Sequence, residues 1–219
     1  MLAPDFKVFL PYIGPSTKSA TRLLVLLGTA LLLAGCGAIA PPAVENSVWS
    51  SLRADLEDLT QWQLGGRVNV RYDNESYTPR IRWQQDERNY NIRLWGTFNA
   101  GNTTIEGRPG FVTLEQDDTV LTASSPEDII LEQLGYELPV SYLEYWIRGL
   151  PAPSSRADLA FNDLNQLSEL TQDGWTVSYP DPRQYGDIYL PRRVEVTRPL
   201  DDVRLRFVGL SWTLESQSN

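Results

Sequence analysis

The chain has 219 residues, 42% of them apolar, and a formal net charge of −9. That is enough apolar material for a sizeable core, and the acidic balance argues against nucleic acid and against general attraction to anionic lipid. There is no His and one Cys, Cys36, so no intramolecular disulfide, no Cys/His zinc set and no His base for a nucleophile is available.

Residues 1–16 carry Pro4, Asp5, Pro11 and Pro15, an unusual head for an export signal, and the true start codon is open. Lys18 and Arg22 then precede an uncharged apolar run over residues 23–33, which ends in Leu33-Ala34-Gly35-Cys36. A basic start, an apolar middle and small residues at the end describe a secretory signal. The run is too short to span a bilayer, which takes about 20 apolar residues. The small residues directly before the only Cys resemble the lipobox of bacterial lipoproteins. That resemblance implies cleavage before Cys36, a diacylglycerol thioether on Cys36 and a further acyl chain on the new amino terminus. Gly37 is not the Asp that resembles an inner-membrane retention signal, so the implied destination is the outer membrane, facing the periplasm. The expected organisation is a removed signal (1–35), a lipid-anchored tether with Pro41 and Pro42 (36–46) and a single domain (47–219).

The spacing of Val48, Trp49, Leu52, Leu56 and Leu59 predicts a helix over 45–59, with Asn46 or Ser47 as cap. From Trp62 the period changes to two. Trp62, Leu64, Val68, Val70 and Tyr72 share one face and Gln63, Arg67, Asn69 and Arg71 the other. After a turn at 73–76, Tyr77, Pro79, Ile81 and Trp83 alternate with Thr78, Arg80, Arg82 and Gln84. After a second turn at 86–88, Tyr90, Ile92 and Leu94 alternate with Asn89, Asn91 and Arg93. Short polar turns between such runs predict an antiparallel meander with one apolar, aromatic face.

A connection over 96–102 holds one large apolar residue, Phe98. Strands are predicted at 103–106, 111–116 and around Val120. Ser125 as cap and Pro126 at the first position open a helix containing Ile129, Ile130, Leu131 and Leu134, which Gly135 ends. A second short helix is predicted over 138–147 with Leu143, Trp146 and Ile147 together. Strands return at 158–162, 167–171, 175–179, 193–198 and 203–214. In the last, the apolar phase shifts by one beside Gly209, which predicts a bulge.

No catalytic residue and no metal site stands out. Carboxylate pairs could serve a glycosidase, but Asp117 and Asp118, Asp181, and Asp201 and Asp202 all sit in turn contexts. The seven Trp in a period-two pattern favour, taken alone, a packed core.

Several segments in order resemble the LolB family: Glu106-Gly107-Arg108-Pro109-Gly110-Phe111-Val112-Thr113-Leu114, Leu134-Gly135-Tyr136-Glu137-Leu138-Pro139-Val140, Tyr145-Trp146-Ile147-Arg148-Gly149-Leu150-Pro151 and Leu190-Pro191-Arg192-Arg193-Val194. The resemblance implies a mainly β fold with α: an incomplete, unclosed antiparallel β-barrel lidded by short helices, with an apolar cavity for acyl chains. It implies a monomeric outer-membrane receptor, without cofactor, that accepts acylated lipoproteins from a LolA-like periplasmic carrier and inserts them into the outer membrane. Under that reading Val68, Val70, Ile81, Trp83, Ile92 and Leu94 face the cavity, with Ile130, Leu134 and Trp146 opposite. LolB proteins carry an exposed Leu on the loop that corresponds to 96–102, needed for insertion; here Phe98 stands there. The alternatives are a structural or assembly lipoprotein that binds protein partners by its sheet, and a carboxylate-dependent carbohydrate-active enzyme.

Overall fold

The structure, a computed structural model, describes residues 47–72, 74–96, 102–135 and 137–214. Cys36, the tether and Phe98 lie outside the described residues. Helix α1, Ser47–Asp58, lays Trp49 and Leu56 into the core. Seven strands follow: β1 (Gln61–Tyr72), β2 (Glu75–Tyr77), β3 (Arg80–Asp86), β4 (Asn89–Trp95), β5 (Thr103–Arg108), β6 (Phe111–Gln116) and β7 (Thr119–Ala123). Two helices, α2 (Pro126–Leu134) and α3 (Val140–Trp146), then lead to β8 (Ala157–Phe161), β9 (Leu167–Gln172), β10 (Trp175–Ser178), β11 (Pro182–Tyr185), β12 (Ile188–Pro191), β13 (Arg193–Arg198) and β14 (Val203–Leu214).

The large sheet runs β7-β6-β5-β4-β3-β1-β14-β13-β10-β9-β8, with β2 added to β1, and β11–β12 form a separate hairpin. Neighbouring strands are antiparallel, and the order is open at β7 and β8. Those two edge strands follow each other in the chain, and the segment joining them carries α2 and α3. The connection from one edge to the other therefore brings the helices over the sheet's apolar face. This is the unclosed antiparallel barrel with a helical lid.

Alternation places the core. In β3, Ile81, Trp83 and Gln85 are buried while Arg80, Arg82, Gln84 and Asp86 are exposed. At the centre of the sheet β1 meets β14, and the ladder shifts register between Gly65 and Arg67. Gly209, opposite that shift, has φ +64, and a side chain on Gly66 would press on Leu210 and the Val208 carbonyl. The bulge beside Gly209 thus takes two glycines on facing strands, one for conformation and one for space.

Two details differ from the period-two reading. The expected strand from Tyr77 is split, because Pro79 lacks an N–H: β2 ends at Tyr77, β3 begins at Arg80, and the Pro79 carbonyl accepts from Val68 N at 3.1 Å. The β11–β12 hairpin was not expected at all. Its residues do not alternate, but Leu190 and Pro191 are buried and the Pro191 carbonyl accepts from Trp212 Nε1 at 2.8 Å.

Candidate functional site

Eight of the nine apolar residues singled out in sequence converge. Val68, Ile81, Trp83, Ile92 and Trp146 are buried in one cluster, and Val70, Leu94 and Ile130 are half-buried against it. Leu134 ends α2, and its side chain lies outside the described residues. The strand members reach the cluster because β1, β3 and β4 are neighbours in register: Ile81 is opposite Leu94 and Trp83 opposite Ile92. Trp62 stands at the centre, its ring 5.4 Å from Trp83 and 5.3 Å from Trp212. Its indole N–H is buried without an acceptor among the described residues, whereas Trp83, Trp146 and Trp212 each donate to an acceptor.

The two lid helices are held differently. Helix α3 is tied at several points: Trp146 Nε1 donates to Gln172 Oε1 at 2.9 Å, and Tyr179 Oη donates to the Trp146 carbonyl at 3.0 Å. Arg148, just beyond its end, is buried and donates from Nη1 to the carbonyls of Leu56 and Leu59, both at 2.8 Å, and from Nε to the Glu144 carbonyl at 3.1 Å. Burial lowers the Arg148 pKa, opposed by Glu144; burial raises that of Glu144, opposed by Arg148. Helix α2 has fewer ties to the large core cluster among the described residues. Its Ser125 cap accepts from Asp128 N, Ile129 packs on Val112 and Leu114, and Glu127 accepts from Ser141 N at 2.7 Å and Ser141 Oγ at 3.0 Å. Its Leu131 is exposed. Tyr90, on the inward face of β4, has its hydroxyl pushed up to about 12 by burial first, then by the charges of Glu127 and Glu144.

Three buried polar residues in this region were not singled out as site candidates: Gln85, Gln172 and Arg148. For the glutamines a signal existed, since Gln85 continues the inward phase of Ile81 and Trp83, and Gln172 that of Leu170. Both use their amides locally, Gln85 with Trp83 and the Glu87 carbonyl, Gln172 with Trp146, Ala152 and Ser155. For Arg148 none existed, because its partners are the end of α1, far away in sequence.

The candidate carboxylates of an enzyme reading stand in turns or pair with arginines. Asp117 has φ +51, Asp181 pairs with Arg183 at 2.9 Å, Asp201 with Arg198 at 2.8 Å and Asp202 with Arg71 at 3.9 Å. Among the described residues no group of three or more His, Cys, Asp or Glu could hold a metal ion.

The family model described as Outer membrane lipoprotein LolB matches residues 60–212. An Outer-membrane lipoprotein LolB of Chromohalobacter salexigens is 36% identical over 203 residues, covering 91% of this chain and 94% of that protein. That of Stutzerimonas stutzeri is 37% identical over 189 residues, covering 84% and 91%. The crystal structure of a LolA superfamily protein from Nitrosomonas europaea superposes with a TM-score of 0.51 at 10% identity, over 77% of this chain and 94% of that one. That last likeness is one of fold: an open antiparallel sheet with helices across it. With the matched segment running from the start of the sheet into its last strand, and relatives that align over nearly their full length, the chain belongs to the LolB family of outer-membrane lipoproteins.

Proposed function

We propose that this protein accepts acylated lipoproteins from a LolA-like periplasmic carrier and inserts them into the outer membrane. Family membership is the observation that carries the reading. The protein sits at the periplasmic face of that membrane as a monomer, held by acyl groups on Cys36 after removal of residues 1–35, with 36–46 as tether. The domain needs no catalyst or cofactor for this, because no covalent bond changes.

The energetics explain why a receptor is required. Each lipoprotein CH₂ exposed to water costs about 0.8 kcal/mol, so direct release from the carrier is prohibitive. Passing acyl chains from one apolar site to another avoids that barrier, and about 1.4 kcal/mol of difference in affinity directs the transfer tenfold. The apolar cluster of Val68, Val70, Ile81, Trp83, Ile92 and Leu94 supplies the receiving wall, opposite Ile130, Leu134 and Trp146. Helix α2 is the element that yields to let chains in. It is short, it has few ties, and a helix of its length is marginal without packing. Phe98 then perturbs the bilayer during delivery; burying one such side chain contributes only about 2 kcal/mol, too little to anchor the domain.

Depleting the protein in its own cell and locating other lipoproteins tests the reading. They should accumulate short of the outer membrane; normal arrival there would overturn it. Phe98→Glu should leave acceptance from the carrier and the melting temperature unchanged while blocking insertion. Normal insertion by that variant would remove Phe98 from the mechanism.

A further inference from the structure

The outer face of the sheet gathers arginines that the linear sequence scatters. Arg67 on β1 is opposite Arg80 on β3, and Arg82 on β3 is opposite Arg93 on β4. All four are exposed, and none has a carboxylate within ion-pair distance among the described residues. Like charges directly opposite each other on neighbouring strands are destabilising. The chain has 28 Asp and Glu against 19 Lys and Arg, so a shortage of carboxylates does not explain the unpaired state. The contrast lies on the same face. Arg204 and Arg206 share Glu195, and Arg71 reaches Asp202. Arginines beside the paired Arg71 and Arg204 of β1 and β14 are thus neutralised locally, and those from the middle of β1 across β3 and β4 are not.

Within the unpaired group Arg82 and Arg93 line an open cleft of about 290 Å³ with Leu94, Trp95, Asn102, Thr103 and Thr104. Thr104 is opposite Arg93, so its hydroxyl extends the row of donors; Glu115, opposite Thr104 on the next strand, is the nearest carboxylate along that row and pairs with neither arginine. Trp95, opposite Arg80, is half-buried at the edge of the patch. Guanidinium groups take phosphate in bidentate fashion, and Trp is favoured where water meets lipid. Donors from four neighbouring strands on the outer face of the sheet, with an aromatic edge, fit a surface of headgroups.

Resting on the reading of the chain as a membrane-anchored receptor, we propose that this face docks on the phosphate headgroups of the membrane. Arg82, Arg93 and Thr104 seat one phosphate in the cleft, and Arg67 and Arg80 extend the contact. The overall acidity of the chain repels an anionic surface elsewhere, so the patch also orients the domain.

The test uses the full chain without acyl groups, made as Cys36→Ser behind a cleavable secretory signal, in flotation with phosphatidylcholine vesicles and with phosphatidylcholine–phosphatidylglycerol vesicles. Binding should favour the anionic vesicles and weaken as salt is raised. An arginine near such a surface is worth about fivefold in binding, so Arg82→Gln with Arg93→Gln should lose roughly thirtyfold. Arg204→Gln, at the neutralised end, should lose no binding, and the melt of the double variant should not fall below that of the wild type, since it removes two opposed like charges. Equal binding to both vesicle types, or full binding by the double variant, overturns the proposal. A double variant that keeps vesicle binding but loses acceptance from the carrier makes the face a protein-docking surface, which also overturns it. Acceptance by the acylated wild type without vesicles is read separately; its absence would defeat the receptor reading, while the vesicle arms still decide this one.

Discussion

Arg148 closes the carboxyl end of α1, donating to the carbonyls of Leu56 and Leu59 from a position that is 4% exposed. Its guanidinium also lies over the rings of Trp62 and Tyr145, at 6.0 and 5.6 Å. Arg148→Met keeps most of the volume and removes every donor, stranding buried carbonyls; the expected loss is about 3 kcal/mol in urea unfolding. Arg148→Lys should restore part of it, since one ammonium can reach one carbonyl but not the fork's several acceptors. Gly107 makes a different demand. It is opposite Tyr90, and a methyl group there would fall 2.0 Å from the ring's Cζ. Gly107→Ala should therefore cost about 1–3 kcal/mol by displacing the ring. In a Tyr90→Ala background most of that cost should vanish, and equal costs in both backgrounds would show that the ring is not the cause.

At the scale of elements, α3 is clasped to the β9–β10 turn. Tyr142 Oη and Ser155 Oγ both donate to Asp173 Oδ2, at 2.9 and 2.6 Å. These bonds, Ser155 first and then Tyr142, hold the Asp173 carboxyl below its ordinary value of 3.8. A carboxyl depressed in the folded state contributes stability that is complete above 3.8 and lost as pH falls through the lower, folded value. The melting temperatures of wild type and Asp173→Asn should therefore differ at neutral pH and converge in acid below pH 3.8. A gap that persists unchanged in acid would mean that the clasp does not depend on the charge. Loss of the clasp should reach α3 first, visible as faster amide exchange across Val140–Trp146 than in the sheet.

For the whole molecule, the buried cluster among the described residues draws on residues from Trp49 to Trp212. Cys36→Ser behind a cleavable secretory signal should therefore yield a folded periplasmic protein with an unchanged melt, released from membranes by high salt, which screens the arginine contact. Recovery in membranes washed with high salt would mean that an attachment other than the lipid and the arginine face exists. The strands, the cap and stop of α2, the apolar face and the Gly209 bulge were legible because each rests on a local property: a backbone period, a turn conformation or a missing Cβ. The lipobox likeness at Cys36 is equally local, a short motif read in place. What local pattern could not supply is which strand neighbours which. That β1 meets β14 at the centre of the sheet, that Arg148 finds the end of α1, that β11–β12 pair without alternating, and that four arginines from three strands share one unpaired patch all depend on register between distant segments. A period says which way a side chain points, but only the closing of long loops into one sheet, stabilised by burying both halves together, decides what it meets there.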